Sequence, residues 1–266
     1  MTRVGAVALN TFREAIRDKI LYVLLFFAVG ILMSTRAVAQ GALHEELRVT
    51  RDIGLVGIEL FGSLIAIFVG VTLVYKELDK KTVFSLIPKP MHRWEFILGK
   101  FFGMVITLAV LVAVMAAVLF AVLSLERLAT DDYSGFAPVL RAIVLIYCEI
   151  VVVTSVAVLF STFTTPLLSG AFTLGIFTVG HFTPELREVI GKLGSPARGI
   201  LHAAIRIFPD LNLFYVSGEM VRGQHVSVHG AYVDWSYVAV AAGYGACYAA
   251  CALALSMLLF SRRDFV

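Results

Sequence analysis

The chain has 266 residues, of which 59% are hydrophobic and only 15% charged, with a mean hydropathy of +0.90. That balance excludes an ordinary soluble domain, and no segment is both long and polar enough to form one alone. The net charge of +3 is modest and lies in the loops, so it reads as membrane topology and not as nucleic-acid binding.

The first nineteen residues form an amphipathic pattern. Val4, Ala8, Phe12, Ala15 and Ile16 recur at helical spacing, while Arg3, Asn10, Arg13, Glu14, Arg17 and Asp18 fall largely elsewhere on the wheel. A helix of this kind lies in a membrane interface, with its polar face to the water. Basic residues followed by Ile20 to Met33 and Ala37-Val38-Ala39 imitate a cleavable signal peptide. The acidic Glu14 and Asp18 in the long leader favour retention.

About 20 apolar residues at 1.5 Å each cross a hydrocarbon core of about 30 Å. Six segments meet that length: residues 20–38, 53–75, 96–125, 139–163, 166–182 and 235–260. The third and sixth are the clearest, because residues 101–125 and 235–260 hold no charged side chain. The fifth is short and punctuated by Gly170, Gly175 and Gly180. The expected fold is all-α: a single polytopic bundle over residues 1–266, with six transmembrane helices and an N-terminal interface helix.

Basic residues orient the set. With the N-terminus inside, the inner segments hold twelve Lys and Arg, against three in the two short outer loops. Both termini are therefore expected in the cytoplasm. Six of the inner residues crowd into the run from Tyr75 to Lys100, five of them in a loop (76–95) with its own apolar patch of Val83, Phe84, Leu86 and Ile87. Such a loop offers a cytoplasmic partner something to grip. The outer segment 183–234 is too apolar for a free linker. Leu201 to Phe208 and Leu211 to Val216 read as two short helices broken at Pro209-Asp210, dipping back to cap the bundle.

Two carboxylates fall within spans: Glu59, about two turns inside the second, and Glu149, near the middle of the fourth, with Arg141 two turns away. Burying an ionisable group there costs at least about 2.5–3.5 kcal/mol on insertion scales. Both should face the bundle interior or a wet cavity, as packing residues or as part of a substrate path. Small residues form stripes, Gly62, Ala66 and Gly70 in the second span and Ala239, Gly243, Cys247 and Cys251 in the sixth. These serve helix packing or dimerisation, with packing inside the chain favoured.

Soluble-enzyme signatures are missing. Gly99-Lys100 is followed by Phe101, and Trp94 stands where a nucleotide-binding loop needs glycine, so no such loop exists here. His225 and His229 are spaced i, i+4 without the companion ligands of a metal site. Cys148, Cys247 and Cys251 sit in apolar segments as packing residues. No cofactor, metal or catalytic residue is expected.

The run Glu77-Leu-Asp-Lys-Lys-Thr82, then Leu86-Ile-Pro88, then Arg93-Trp-Glu-Phe-Ile-Leu-Gly-Lys100 resembles the signature loop of ABC type-2 transporter permeases, with Lys81 where that family usually has glycine. Pro209-Asp-Leu-Asn-Leu-Phe214, the ending Phe260-Ser-Arg-Arg-Asp-Phe265 and the start Asn10-Thr-Phe-Arg-Glu-Ala-Ile-Arg-Asp18 are similar to the family too. The likeness covers essentially the whole chain and is nearest to the multicopper-enzyme-maturation-like permease subgroup. It implies the membrane half of an ATP-driven exporter in a bacterial or archaeal inner membrane. Two permease chains, identical or paralogous, would bind two cytoplasmic ABC ATPase subunits and work by alternating access. The docking residues implied are Arg13, Glu14, Glu77, Lys80, Lys81, Thr82, Phe84, Leu86 and Arg93; membrane lipid is the other partner. Two further readings stay open: an ion- or proton-coupled secondary transporter using Glu149 and Glu59, and a non-transport membrane subunit of an ATP-driven surface or motility assembly.

Overall fold

A computed structural model describes residues 3–39, 46–79, 92–130, 136–192, 199, 201, 205, 208–215, 217–221, 224–227 and 234–261. Among these lie eight α-helices: α1 (Arg3–Ile16), α2 (Lys19–Ala39), α3 (Glu46–Asp79), α4 (Arg93–Thr130), α5 (Ala137–Ser161), α6 (Pro166–His181), α7 (Thr183–Gly191) and α8 (Trp235–Ser261). A 3-10 turn at Leu211–Leu213 and a short hairpin, β1 (Ser217–Val221) with β2 (Gln224–Ser227), precede α8.

The helix breaks follow from local chemistry. α1 ends at Ile16, and the Asp18 carboxylate caps α2 by accepting the Ile20 N–H at 3.1 Å. α4 starts with a capping interaction: the Glu95 side chain reaches back to accept the His92 N–H at 3.0 Å. Proline opens α5, α6 and α7 in their first turns, where its missing N–H costs no helical bond. Between α6 and α7 the Thr183 hydroxyl donates to the Gly180 carbonyl at 3.0 Å, satisfying one of the acceptors that the end of α6 leaves open.

Four helices are long and apolar enough to cross a membrane, at Leu47–Thr72, Trp94–Leu125, Ala137–Ser161 and Trp235–Phe260. The stretch Lys19–Thr35 of α2 and the whole of α6 are shorter apolar helices. The 16 residues of α6 rise about 24 Å, less than the hydrocarbon thickness of about 30 Å.

α5 is the central post. It packs along α3 on one side and α8 on the other, with α4 and α6 also touching it, and α2 lies against α3 and α4. Leu145, Glu149, Ile150, Val152, Thr154 and Ser155 of α5 are all buried. α1 runs along α4, to which it makes its main contact.

The region before α8 differs in detail from the second of the two expected helical pieces. Of the expected helix at 201–208, residues 201, 205 and 208 are described, and the first two are helical as expected. The second piece is a single 3-10 turn, Leu211–Leu213, after which the chain becomes extended and forms the hairpin. The turn is held from below: the Tyr244 hydroxyl accepts the Asp210 N–H at 2.9 Å, and the Tyr237 hydroxyl donates to the Leu213 carbonyl at 2.6 Å. Leu211 and Phe214 are fully buried. Thus residues 209–214 form a plug on the bundle, seated on α6 and α8. His225 lies in β2, so the i, i+4 reading of His225 and His229 has no helix under it; His229 lies outside the described residues.

Candidate functional site

The most unusual chemistry sits where α3, α5 and α6 meet. Gly62 of α3 lies under Ile150 of α5, and a Cβ at Gly70 would stand 2.7 Å from the Ala157 side chain. Glycine at these two positions lets α3 and α5 run close together. Glu59, three residues before Gly62, is thereby brought opposite Glu149, the neighbour of Ile150. α6 ends beside them and contributes His181.

The ligand atoms of Glu59, Glu149 and His181 all lie within 4.8 Å of one another. His181 Nε2 is 2.8 Å from Glu59 Oε1 and 3.4 Å from Glu149 Oε1. On its other side, His181 Nδ1 is 3.0 Å from the Phe177 carbonyl. A carbonyl can only accept, so Nδ1 is the donor and carries a hydrogen. That leaves Nε2 pointing at two carboxylates. Glu149 is fully buried, and neither of its oxygens has a hydrogen-bond partner among the described residues. A carboxylate buried in that way is costly unless a cation or a proton balances it.

Glu59 also lines a cavity of about 120 Å³, together with Asp52, Ala142, Ile146, Phe214 and Tyr215. This has room for several water molecules and polar groups to hold them. The cluster therefore borders a wettable space, closed on one side by Phe214 of the plug.

Arg141, the cation expected two turns from Glu149, is engaged elsewhere: its guanidinium lies over the Trp235 ring, 5.6 Å from the centroid. The sequence reading named Glu59 and Glu149 but passed over His181. Its signal was present: it is the one ionisable residue in the apolar segment 166–182.

The other expected site residues lie on and around α1. On this helix Ala8, Thr11 and Ala15 are buried, Val4, Phe12, Ile16 and Glu14 are half-buried, and Arg3, Asn10 and Arg13 are exposed, as is Arg17 just after it. The buried stripe lies on α4. A Cβ at Gly99 would meet Val7 Cβ at 2.6 Å, and one at Gly103 would meet the Ala8 carbonyl at 2.5 Å. Glu77 belongs to the last turns of α3, and Arg93 is the first residue of α4. Lys80, Lys81, Thr82, Phe84 and Leu86 lie outside the described residues. Lys100 is buried in α4, its ammonium 5.2 Å from the centre of the Phe96 ring.

The family model described as ABC-2 family transporter protein matches residues 5–265. No curated protein matches the chain. The match runs from α1 through the plug to the end of α8, so the amphipathic α1, the long apolar helices and the Glu–Glu–His cluster all fall inside one family unit. The chain is a membrane protein and belongs to the ABC-2 transporter family.

Proposed function

We propose that this chain is the permease subunit of an ATP-binding cassette exporter. ATP is hydrolysed by separate cytoplasmic ATPase subunits, two per complex, and their closure rocks two permease chains, identical or paralogous, to alternate access. The six apolar helices α2, α3, α4, α5, α6 and α8 serve as spans, with both termini in the cytoplasm of a bacterial or archaeal inner membrane.

The observation that carries this reading is the fastening of α1 to α4. An amphipathic helix that presents Arg13 outward while its backbone touches Gly103 moves with the start of α4 as one piece. A push delivered to α1 and to the loop entering α4 is thus passed directly to a long apolar helix. Arg13, Glu14, Glu77, Lys80, Lys81, Thr82, Phe84, Leu86 and Arg93 form the docking surface in this reading. Phe84 and Leu86 act as its apolar anchors, since a few central apolar residues dominate most interfaces. Glu59 and Glu149 border the substrate path.

Purification from native membranes in mild detergent tests this directly. An ABC ATPase should co-purify, identified by mass spectrometry, and Phe84→Asp should abolish its recovery while the chain stays monodisperse. Recovery of the chain with no ATPase overturns the reading. It would favour an ion-coupled secondary transporter, for which the buried Glu59–His181–Glu149 cluster is the specific support. Impermeant labelling of cysteines placed at Asp132 and Gln224, but not at Lys89, tests the orientation.

A further inference from the structure

We propose that Glu59, Glu149 and His181 form a binding site for one divalent transition-metal ion of the zinc class. Nothing in this inference rests on the chain being a permease; it follows from the three side chains and the space beside them.

The donor set comes first. One imidazole nitrogen and two carboxylates are a mixed nitrogen–oxygen set, which suits first-row divalent ions such as Zn²⁺ or Co²⁺ better than the all-oxygen ions Ca²⁺ and Mg²⁺. The imidazole is already oriented for the task. Its Nδ1–H is spent on the Phe177 carbonyl at 3.0 Å, so the lone pair of the neutral ring is on Nε2, directed at the carboxylates. Metal-binding histidines are fixed in this manner by a hydrogen bond on the far nitrogen.

Geometry comes second. Bonds of about 2.0–2.2 Å in a tetrahedral site place donor atoms about 3.3–3.6 Å apart. His181 Nε2 and Glu149 Oε1 stand at 3.4 Å, within that range. His181 Nε2 and Glu59 Oε1 stand at 2.8 Å, a hydrogen-bond distance, so the Glu59 arm swings out by roughly half an ångström to admit an ion. Glu59 is the member beside the cavity and has the room to do so.

Charge comes third. Two carboxylates with a neutral imidazole carry two negative charges in a buried place, and a divalent ion cancels both. Glu149 has no hydrogen-bond partner among the described residues at either oxygen and is fully buried, so its unmet capacity lies within the cluster. Three protein ligands leave a fourth position open, and the cavity of about 120 Å³ at Glu59 supplies a water there and a route of entry. The rival occupant is a proton, shared between His181 and Glu59.

Full-length chain, purified in mild detergent with any affinity tag removed, is titrated with Zn²⁺ and with Co²⁺. One ion per chain is expected, with Co²⁺ developing the intense visible bands of four- or five-coordination. Glu149→Gln and His181→Gln should each weaken Zn²⁺ binding at least tenfold, whereas His225→Gln should leave it unchanged. If those variants lose their monodisperse state, the spectrum of the unsubstituted chain decides. Weakly coloured six-coordinate Co²⁺, or no stoichiometric ion, overturns the metal site and leaves the proton. Undiminished binding by a folded His181→Gln chain overturns it equally.

Discussion

Where α1 meets α4, glycine and alanine bring two backbones into contact, with Gly103 facing the Ala8 carbonyl and the Arg3 guanidinium 3.9 Å from the Glu95 carboxylate at the start of both helices. Where α3, α5 and α6 meet, glycines also bring helices together, but the space beside them holds two carboxylates and an imidazole. The first joint is a close contact of backbones, suited to passing on movement. The second keeps polar groups buried beside a cavity, at a cost that only a bound cation or proton offsets. Close helix approach is thus used twice, once to transmit and once to assemble a site.

The largest expected effect lies at the first joint. Gly103→Leu places a branched side chain where even a Cβ would stand 2.5 Å from the Ala8 carbonyl and 2.6 Å from Thr11 Cβ. Backbone cannot yield as a side-chain tip does, so α1 must lift off α4. Overpacking typically costs about 1–3 kcal/mol, and here it also detaches the helix. Thermal unfolding should shift to lower temperature, and proteolysis should cut within residues 3–16. A variant as stable and as protease-resistant as the parent would show that α1 is not fastened there.

A smaller effect is expected at the plug. Tyr244→Phe removes the acceptor of the Asp210 N–H, a group in a residue that is itself buried. An unsatisfied buried donor costs about 1–3 kcal/mol. Hydrogen exchange in the Asp210–Phe214 segment should rise, while exchange in α1 should not move. Equal acceleration in both regions would mean that the two ends unfold as one unit and the contrast between them fails.

Much of this architecture is legible in the sequence, and the failures are specific. The wheel of α1 is right in outline, since Ala8 and Ala15 are buried and Arg13 is exposed, although Thr11 joins the buried stripe and Phe12 and Ile16 are no more buried than Glu14. Depth alone marks Glu59 and Glu149, because any ionisable group in an apolar run must be accounted for. The cluster itself was not legible. It needs α3, α5 and α6 in one register, and His181 is 122 residues from Glu59. The plug was misread because Leu211–Val216 is apolar enough for a helix, yet its stability comes from Tyr237 and Tyr244 on α8.

The two small-residue stripes make the same point. In α3, Gly62 and Gly70 are packed against α5. In α8, Ala239, Gly243, Cys247 and Cys251 are exposed, because α8 meets the core through Val238, Ala241, Gly245, Ala249 and Leu253. Pattern identifies a face that permits close approach, but not the partner that makes it. A Cβ at Gly243 meets nothing within 4 Å. Gly243→Leu should therefore cost the isolated chain no more than about 0.5 kcal/mol, and leucine's better helix propensity acts in the stabilising direction. A larger loss in thermal unfolding would place α8 deeper in the bundle than its exposure indicates.

The smallest expected effect concerns the start of α8, outside the apolar segment. Asp234 accepts the Ser236 hydroxyl at 3.0 Å and the Trp235 N–H at 2.8 Å. These bonds favour the charged form, the Ser236 hydroxyl first and then the Trp235 N–H, so the carboxyl is held below its ordinary range. The sign follows from linkage. A carboxyl lowered in the folded state contributes stability above its unfolded pKa, and loses it as pH falls through the folded value. Asp234→Asn keeps a capping oxygen but cannot titrate, so it isolates this contribution. At neutral pH the first turn of α8 should exchange its amide hydrogens more slowly in the parent than in Asp234→Asn. On acidification through the carboxylate range the difference should shrink toward zero. A difference independent of pH would show that Asp234 caps α8 by shape alone, with its charge contributing nothing to the helix.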